Sequence, residues 1–341
     1  MASNSPPSDV SHPATGRGVE RWVVEDEYAG QRIDNFLLAR LKGVPKTRIY
    51  RMVRTGELRV NGGRVASDYR VQAGDQLRIP PIRVAANAPP EGQLHPARTG
   101  APPMAARSAA KQIGVLLDDP LVLAIDKPAG LAVHGGSGVK LGVIEALRAV
   151  RNDRFLELVH RLDRETSGVM VLAKRRSSLT ELHRQLREGL MRKRYLALVW
   201  GSWPAACDRI EQPLHKWVNA RGERWVRVDP EGQVAITKVK VLQRVRAEPF
   251  GEVSLLVCEP VTGRTHQLRV HLAHQGHPIV GDPKYGDFER DAQWPWIGRM
   301  FLHAWQLRLD HPGDRETITL RAAIPPAWVD ALQTCGLEQP N

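Results

Sequence analysis

The feature that most constrains the fold is an Ala-, Pro- and Gly-rich stretch, residues 83–111, that lies between two segments with regular apolar patterns. A stretch of this composition without apolar periodicity indicates an extended, mobile linker. It divides the 341-residue chain into a small unit and a large domain. The predicted boundaries are a disordered extension over 1–19, a small unit over 20–82, the linker, a large domain over 112–331 and a tail over 332–341.

The small unit has the pattern of two short helices and a small sheet. Apolar residues recur at helical spacing in the first helix, and Gly56 is expected to end the second. Asn61-Gly62 is a strong signal for a hairpin turn between short β-type runs. About fifty residues of this kind have room for two helices, a small sheet and little more.

Residues 31–81 are strongly basic, with eleven lysines and arginines against four acidic residues, a balance of +7. Arg48, Arg51 and Arg54 repeat every three residues along the second predicted helix, so they share one face. A single face of this kind is often only a solvated surface. The excess of positive charge over the whole unit nevertheless favours a phosphate-binding surface.

Strand-like segments outnumber helical ones in the large domain, and the two types alternate irregularly. An α+β fold with a mixed, mostly antiparallel sheet therefore fits better than a parallel doubly wound fold. The predicted strands are Leu121–Ile125, Phe155–Val159, Val169–Leu172, Tyr195–Trp200, Ala235–Val241, Val253–Val257 and Glu316–Leu320. The predicted helices are Val143–Val150, Leu179–Leu190 and His266–His274.

The whole chain carries a formal charge of +12, which favours a polyanionic partner, with nucleic acid ahead of a membrane surface. No apolar run approaches the roughly 18 residues needed to span a bilayer. The N-terminal segment also lacks the apolar core of a signal peptide. Cys207, Cys258 and Cys335 lie far apart, which argues against a disulfide framework or a zinc–thiolate site. A reducing, cytoplasmic location is predicted.

Several catalytic signatures are absent from the sequence, namely GxGxxG, GxxxxGK[ST], HExxH and GxSxG. Four histidines, His266, His271, His274 and His277, fall within twelve residues. His271 and His274 have a spacing that could serve a metal, but the nearest carboxylate, Asp282, lies outside the predicted helix. Polar, RNA-facing or capping roles are therefore favoured over metal binding.

The segment HRLDRETSG places one carboxylate, Asp163, between Arg161 and Arg164. An aspartate beside an arginine is usually a surface ion pair that contributes little to stability. This segment, however, leaves one apolar strand and enters another, so Asp163 is expected in a tight loop at a sheet end, where functional sites are common. The small residues Thr166, Ser167 and Gly168 are expected to let a substrate backbone approach closely.

A second segment, TGRTHQLRVH, supplies two arginines, Arg264 and Arg269. Either guanidinium could pair with Asp163. A neighbouring positive charge would hold the carboxylate ionised, as a nucleophile requires.

These residues resemble the RluA class of pseudouridine synthases, and the resemblance extends from about Glu20 to Ala331. Four motifs carry it: KPAGLAVHGGSG (127–138), HRLDRETSGVMVLAK (160–174), KRYLALVWG (193–201) and TGRTHQLRVHLAHQGHPIVGDPKYGD (262–287). The small unit resembles an S4 RNA-binding domain. The resemblance thus implies an α+β pseudouridine synthase catalytic domain preceded by a small α/β S4 domain.

The resemblance also implies a reaction, in which uridine in RNA is detached at its N1–C1′ bond, the uracil rotates, and C5 is joined to C1′. No cofactor, energy source or metal is expected. Asp163 corresponds to the essential aspartate of the class, and whether it attacks C1′ or assists cleavage through a glycal-like species is left open. Tyr195 corresponds to the tyrosine that stacks on the flipped uracil, and Arg269, with Arg264 as rival, to the arginine that pairs with the aspartate.

Further binding roles follow from the same resemblance. Arg161 corresponds to the arginine that fills the gap left by the extruded base, and Leu302 to an apolar position beneath that base. The other residues predicted to bind substrate or RNA are His160, Arg264, His266, Gln267, Arg48, Arg51 and Arg54.

The partner implied by the resemblance is 23S ribosomal RNA, either free or in a large-subunit assembly intermediate, without a membrane or an obligate protein partner. Several uridines near the peptidyl transferase centre are the favoured targets, and the loop of a large-subunit helix is the alternative. Two other classes remain open, a non-catalytic RNA-binding protein of ribosome assembly and a metal-dependent nuclease. If Asp163→Asn abolishes isomerisation while RNA binding is retained, the protein is an enzyme and not merely an RNA-binding protein. If isomerisation persists in EDTA and the RNA stays uncut, the protein is not a metal-dependent nuclease.

Overall fold

A computed structural model describes residues 18–25, 28–41, 44–82, 103–135, 141–219, 222–249, 251–294 and 297–340. The chain divides into two compact units, Met1–Arg98 and Thr99–Asn341. Nearly all of the predicted extension (1–19) and most of the predicted linker (83–102) lie outside the described residues. Within the described ranges, no helix has the length and apolar run needed to cross a bilayer.

The described residues of the first unit form two helices and a three-stranded sheet, as predicted. The elements are β1 (Glu20–Val23), α1 (Ile33–Arg40), α2 (Lys46–Thr55), β2 (Arg59–Val60) and β3 (Gln76–Ile79). The sheet order is β1-β3-β2, and both pairs are antiparallel. Helix α2 ends where Gly56 takes the left-handed conformation (φ 72°), and its apolar residues Ile49, Met52 and Val53 are buried.

The second unit contains the remaining elements. Its strands are β4 (Gly114–Asp118), β5 (Val122–Lys127), β6 (Glu157–Leu158), β7 (Ser167–Ala173), β8 (Arg192–Trp200), β9 (Arg209–Glu211), β10 (Leu214–Val218), β11 (Arg224–Val228), β12 (Ile236–Ala247), β13 (Gly251–Pro260), β14 (Leu302–Asp310) and β15 (Thr317–Arg321). Its helices are α3 (Met104–Lys111), α4 (Val143–Val150), α5 (Arg176–Arg187), α6 (Gln267–His274), α7 (Phe288–Gln293) and α8 (Pro326–Cys335).

A ten-stranded sheet forms the centre of this unit. Its order is β4-β5-β7-β14-β8-β13-β12-β9, with β15 paired to β14 and β6 paired to β7. Strands β7 and β14 are parallel, whereas the other neighbours are antiparallel. This arrangement confirms the predicted α+β class with a mixed, mostly antiparallel sheet.

Two segments predicted to lie outside the packed domain contribute to it. Residues 104–111, predicted as linker, form α3, which packs against α4. The alanines favour helix formation here. The segment shows no apolar period, however, because only Ala106 is buried. The predicted tail, 332–341, is wrong for its first half. Leu332 and Leu337 are buried with Trp328, and the apolar period of α8 begins before the predicted boundary.

Strand β14 was not predicted, although it lies at the centre of the sheet between β7 and β8. Most of its residues are buried, including the polar His303 and Gln306. A strand buried on both faces shows no alternation of polar and apolar residues, so its sequence lacks the usual signal.

The register of β14 brings the site elements together. Ala304 lies opposite Tyr195 of β8 on one side and opposite Gly168 of β7 on the other. Because the loop that carries Asp163 leads into β7 at Ser167, the strand pairing places Tyr195 close to the aspartate loop. Gly168 has a φ of 110°, and a Cβ atom there would lie 2.2 Å from the Ala304 carbonyl oxygen. The close approach predicted for a substrate backbone is therefore made by the protein's own strand.

Candidate active site

Asp163 lies in the loop between β6 and β7, and 21% of its side chain is exposed. Its backbone carbonyl accepts a hydrogen bond from the Thr166 N–H at 3.2 Å, which closes the loop as a tight turn. Its carboxylate oxygen Oδ2 lies 3.4 Å from Nη1 of Arg269. The carboxylate is thus partly exposed and paired with one cation, an arrangement that suits a reacting group.

Arg269, on α6, is held in place by a second carboxylate. Its Nε donates to Oδ2 of Asp282 at 2.7 Å and its Nη2 donates to Oδ1 at 2.6 Å, and both side chains are buried. Burial disfavours the cation, but the hydrogen bonds and charge of Asp282, together with the charge of Asp163, raise the pKa of Arg269 above its ordinary value. The bidentate contact fixes the guanidinium plane and leaves Nη1 directed at Asp163.

The geometry distinguishes between the two arginines considered from the sequence. Arg264 is exposed and its Nε donates to the Val234 carbonyl at 3.0 Å. Arg269, and not Arg264, pairs with Asp163. Binding of RNA by Arg264 stays a prediction.

His266 and Tyr285 complete the surroundings of the carboxylate. The His266 Nε2 atom lies 4.0 Å from Oδ1 of Asp163, and its Nδ1 lies 2.8 Å from the Tyr285 hydroxyl oxygen. His266 has a φ of 52°, a left-handed conformation that is uncommon outside glycine. Burial lowers the pKa of His266 to about 4, although the charge of Asp163 opposes this effect. The imidazole is therefore neutral at physiological pH.

Tyr195 and Leu302 contribute to one apolar cluster beside the site. Leu302 is 3% exposed, and Tyr195 is partly exposed. Burial, and secondly the charge of Asp163, raise the pKa of the Tyr195 phenol above its ordinary value. The phenol is therefore protonated at neutral pH, and its predicted stacking on uracil stays a prediction.

Lys127 is a site residue that sequence reasoning missed. The ammonium is fully buried and donates to the carbonyl oxygens of Pro128, Leu131 and Arg164 at 2.7, 2.8 and 3.0 Å. These bonds join the loop after β5 to the loop that carries Asp163. Burial lowers the pKa of Lys127 to about 7, while the charges of Glu165 and Asp163 act in the opposite direction. The signal was available, because lysine in an apolar strand ending in KPAG needs internal partners.

Two residues predicted to bind RNA have partners within the fold. Gln267 is 4% exposed, and its amide contacts Thr262, the Arg264 N–H, the Ile236 carbonyl and Thr237. These bonds join the RTHQ loop to β12, and the RNA contact of Gln267 stays a prediction. His160 accepts the Val171 N–H at Nε2 (3.2 Å), and burial lowers its pKa to about 3. This neutral imidazole anchors the aspartate loop.

Arg161 remains available for the role predicted for it, because its side chain is exposed beside Asp163. Two of the histidines that follow His266 have partners within the fold, whereas His274 is exposed. His271 contacts Thr237 and the Gln212 carbonyl, and His277 contacts the Trp200 carbonyl. Over the described part of the chain, no group of three or more His, Cys, Asp or Glu side chains is arranged to hold a metal ion.

In the first unit, the three predicted arginines of α2 differ in their surroundings. Arg48 pairs with Glu57 at 2.7 Å. Arg51 and Arg54 are exposed and line a groove of about 620 Å³ together with Tyr50 and Arg64. The groove therefore has three arginines, one of which, Arg64, comes from outside the predicted helix.

Strands β10 and β11 form a basic–aromatic hairpin, residues 214–228, that was not predicted; its residues 220–221 lie outside the described ranges. Trp217 lies opposite Trp225 and is 43% exposed. Lys216 and Arg224 are exposed nearby, and Lys284 Nζ lies 4.9 Å from the centre of the Trp225 ring. Exposed aromatic rings among cations suit contact with the bases and phosphates of RNA.

Comparison with known families gives two matches along the chain. Residues 121–274 match the family model for RNA pseudouridylate synthase, and residues 31–77 match the S4 domain. Asp163, Tyr195, Arg269 and His266 all fall within the first match. Both matches agree with the families that the sequence motifs resemble.

Individual proteins are similar over almost the whole chain. The ribosomal large subunit pseudouridine synthase C of Pasteurella multocida is 47% identical over 315 residues, which are 91% of this chain and 92% of the relative. The protein of the same name from Escherichia coli K12 is 48% identical over 316 residues, 91% of this chain and 94% of the relative. Among solved structures, human RNA Pseudouridylate Synthase Domain Containing 4 is 28% identical with a TM-score of 0.56, over 70% of this chain and 99% of that structure.

Proposed function

The chain belongs to the RNA pseudouridylate synthase family, and from this premise we propose that it isomerises uridines of large-subunit (23S) ribosomal RNA to pseudouridine. The two bacterial relatives are named as large-subunit enzymes and match more than nine-tenths of the chain. Several uridines near the peptidyl transferase centre are the proposed targets. The alternative target is the loop of a large-subunit helix.

The proposed reaction begins with a flipped nucleotide, because a base within a stack cannot be reached at C1′. Asp163 acts on the sugar as the N1–C1′ bond breaks, either by attacking C1′ or by assisting formation of a glycal-like species. The uracil then rotates, C5 forms a bond to C1′, the C5 proton is lost and N1 gains a proton. Product and substrate have the same atoms, so the overall change requires neither oxidant nor energy source.

Arg269 supports this role because it pairs with Asp163 from a fixed position. Its guanidinium is held by Asp282, so little reorganisation is needed as charge on the Asp163 carboxylate changes during the reaction. Tyr195 is proposed to stack on the uracil, with Leu302 in the apolar cluster below it. Since burial raises the pKa of Tyr195, the phenol enters the reaction protonated and is a donor rather than a ready base.

Three surfaces are proposed to bind the RNA. Arg161 is proposed to fill the gap left by the flipped base. The basic–aromatic hairpin and the arginine groove of the first unit offer stacking surfaces and phosphate contacts. The net charge of +12 agrees with a polyanionic substrate of considerable size.

The form of the substrate and the cellular location belong to the same proposal. Free 23S RNA and an assembly intermediate of the large subunit are both open, and the enzyme is proposed to act in the cytoplasm. Comparing turnover on naked 23S RNA with turnover on immature subunits isolated from a deletion strain distinguishes the two substrates. Mapping pseudouridines by carbodiimide-block primer extension in the same strain identifies the positions modified.

The pairing of Asp163 with Arg269 in a partly exposed loop is the observation that carries the proposal. In Asp163→Asn the side chain keeps its shape but loses its charge, so isomerisation of 23S RNA should fall to background while RNA affinity stays within about two-fold. Asp330→Asn, an exposed aspartate of α8, is the control and should be fully active. Full activity of Asp163→Asn would reject the assignment.

A further inference from the structure

Tyr285 connects the basic–aromatic hairpin with the aspartate site. The backbone N–H of Val226, in β11, donates to its hydroxyl oxygen at 3.0 Å, and the same oxygen lies 2.8 Å from Nδ1 of His266. The edge of its ring meets the Trp225 ring at a centroid distance of 5.7 Å, and the Arg269 guanidinium carbon lies 5.1 Å from the ring centre. One side chain therefore contacts the hairpin, the histidine and the arginine.

The position of Tyr285 is itself fixed by the carboxylate that holds Arg269. Oδ1 of Asp282 accepts the backbone N–H groups of Lys284 at 2.8 Å and Tyr285 at 3.1 Å, in addition to its bond from Arg269. Asp282 is 1% exposed. The guanidinium and the tyrosine therefore have a common buried anchor, and displacement of one would affect the other.

The hydrogen bonds of the Tyr285 hydroxyl determine which ring nitrogen of His266 carries a proton. A hydroxyl has one proton to donate, and the Val226 N–H already uses one of its acceptor positions. Among the described residues, the hydroxyl has no other hydrogen-bond partner than Val226 and His266. Donating to Nδ1 therefore satisfies the hydroxyl proton, and this leaves Nδ1 unprotonated.

A neutral imidazole with an unprotonated Nδ1 carries its proton on Nε2. That atom is the one 4.0 Å from Oδ1 of Asp163, opposite the oxygen that faces Arg269. The charged groups around the ring are Asp163, Arg269, Lys284 and Asp282, and with burial they leave the pKa of His266 at about 4. His266 is thus available as a neutral donor that needs to move by about 1 Å to hydrogen-bond the carboxylate.

We propose that Tyr285 is a positioning residue for the isomerisation, and that its hydroxyl holds His266 as the Nε2–H tautomer directed at Asp163. The two carboxylate oxygens then have different partners, a cation at Oδ2 and a neutral donor at Oδ1. Val226 of the hairpin supplies the other hydrogen bond of the hydroxyl. The expected effect on kcat rests on the proposed function, whereas the assignment of the His266 tautomer does not.

The tautomer is measured directly by ¹⁵N NMR of protein labelled at histidine, because protonated and unprotonated ring nitrogens have well-separated chemical shifts. The His266 signals are assigned by their loss in His266→Gln. At neutral pH we expect a neutral ring with the proton on Nε2, and in Tyr285→Phe a mixture that includes the Nδ1–H form. A wild-type ring protonated at Nδ1, or at both nitrogens, would overturn the proposal even if the variant failed to fold.

Kinetics of the full chain on 23S RNA supply the second readout. Tyr285→Phe keeps the ring contacts and should lower kcat about ten-fold with little change in KM. The double variant Tyr285→Phe/His266→Gln should be no slower than His266→Gln alone, because both changes act through one contact. Tyr69→Phe, which removes a hydroxyl bonded to Asp75 in the first unit, is the control and should leave kcat unchanged.

Independent, multiplicative effects of the two substitutions, or an unchanged kcat in Tyr285→Phe, would also overturn the inference. If the wild-type protein had no synthase activity, the proposed function would fail while the NMR result still decided the tautomer. The two failures are therefore distinguishable.

Discussion

His160 and His266, which are partly exposed, and His303, which is buried, are three histidines in or beside the aspartate site that are neutral at physiological pH. Burial lowers their pKa values to about 3, 4 and 4, respectively. His160 accepts a backbone hydrogen bond, and the Nδ1 of His303 contacts Ser167 at 2.8 Å, directly after the aspartate loop. Neutral histidines hold this loop without adding positive charge that would compete with Arg269 for Asp163.

The lowered pKa values predict how stability depends on pH. Between pH 6.5 and about 4 the unfolded chain binds protons at these histidines and the folded chain does not, so the free energy of unfolding falls as the pH falls. Each histidine contributes at most about 1.4 kcal/mol per pH unit in this window. Urea unfolding of wild type and His303→Gln between pH 4 and 7 should show a smaller slope for the variant. Parallel curves for the two proteins would contradict this account.

The roles of individual residues were easiest to predict where the residues belong to one contiguous motif. Asp163 and Arg269 could be predicted because HRLD and RTHQLR are compact patterns. The roles of Asp282 and Tyr285 could not be predicted, because each depends on atoms contributed by a separate loop. The lysine of KPAG did signal a need for buried partners, but the sequence does not show that one of them is the Arg164 carbonyl of the aspartate loop. The RNA contact of Gln267 stays a prediction, since a polar side chain in a motif has the same sequence signal whether it contacts RNA or the protein's own backbone.

Among the elements, the parallel pair β7–β14 has the strictest steric requirement. Gly168 has a φ of 110° and lies against the Ala304 backbone, whereas Gly189, with a φ of 70°, has no atom within 4 Å of an added Cβ. Gly189 therefore supplies a reference for a methyl group added at positive φ without a close contact.

Gly168→Ala should destabilise the protein by about 3 kcal/mol or more, because the new methyl group would lie 2.2 Å from the Ala304 carbonyl oxygen. Gly189→Ala should lower the free energy of unfolding by about 1 kcal/mol, because it only places an alanine in the left-handed conformation. Chemical denaturation monitored by tryptophan fluorescence measures both values. Equal losses in the two variants would show that the contact with β14 is unimportant.

A helix or strand could be predicted from the sequence when one of its faces is buried and the other is exposed. Helix α4 was predicted with the observed bounds, because its buried face gives a clear period of 3.6 residues. Strand β14 and helix α3 gave no such signal, since one is buried on both faces and the other buries a single alanine.

At the scale of the whole molecule, each of the two units presents a cluster of cations that is proposed to bind RNA. The arginine groove of the first unit contains Arg51, Arg54 and Arg64, and the basic–aromatic hairpin belongs to the second unit. Binding to both surfaces would release counterions from the RNA, so affinity should decrease steeply with salt.

Arg51→Gln/Arg54→Gln should weaken 23S RNA binding and lower the slope of log K against log [salt] by roughly 1.5 to 2. The rate at saturating RNA should be unchanged, because neither residue belongs to the aspartate site. Arg48→Gln is the matched control, with a smaller expected change, since Arg48 is already neutralised by Glu57. Equal slopes for wild type and the double variant would remove the groove from the RNA-binding surface.

The position of β14 in the sheet has a consequence for protein synthesis. Translation produces β7 and β8 well before the strand that separates them, residues 302–310. Before that moment β7 and β8 lack the strand that pairs with both of them and sets Ala304 between Gly168 and Tyr195. The sheet around the aspartate loop is therefore completed late in synthesis, only after residues 302–310 have been made.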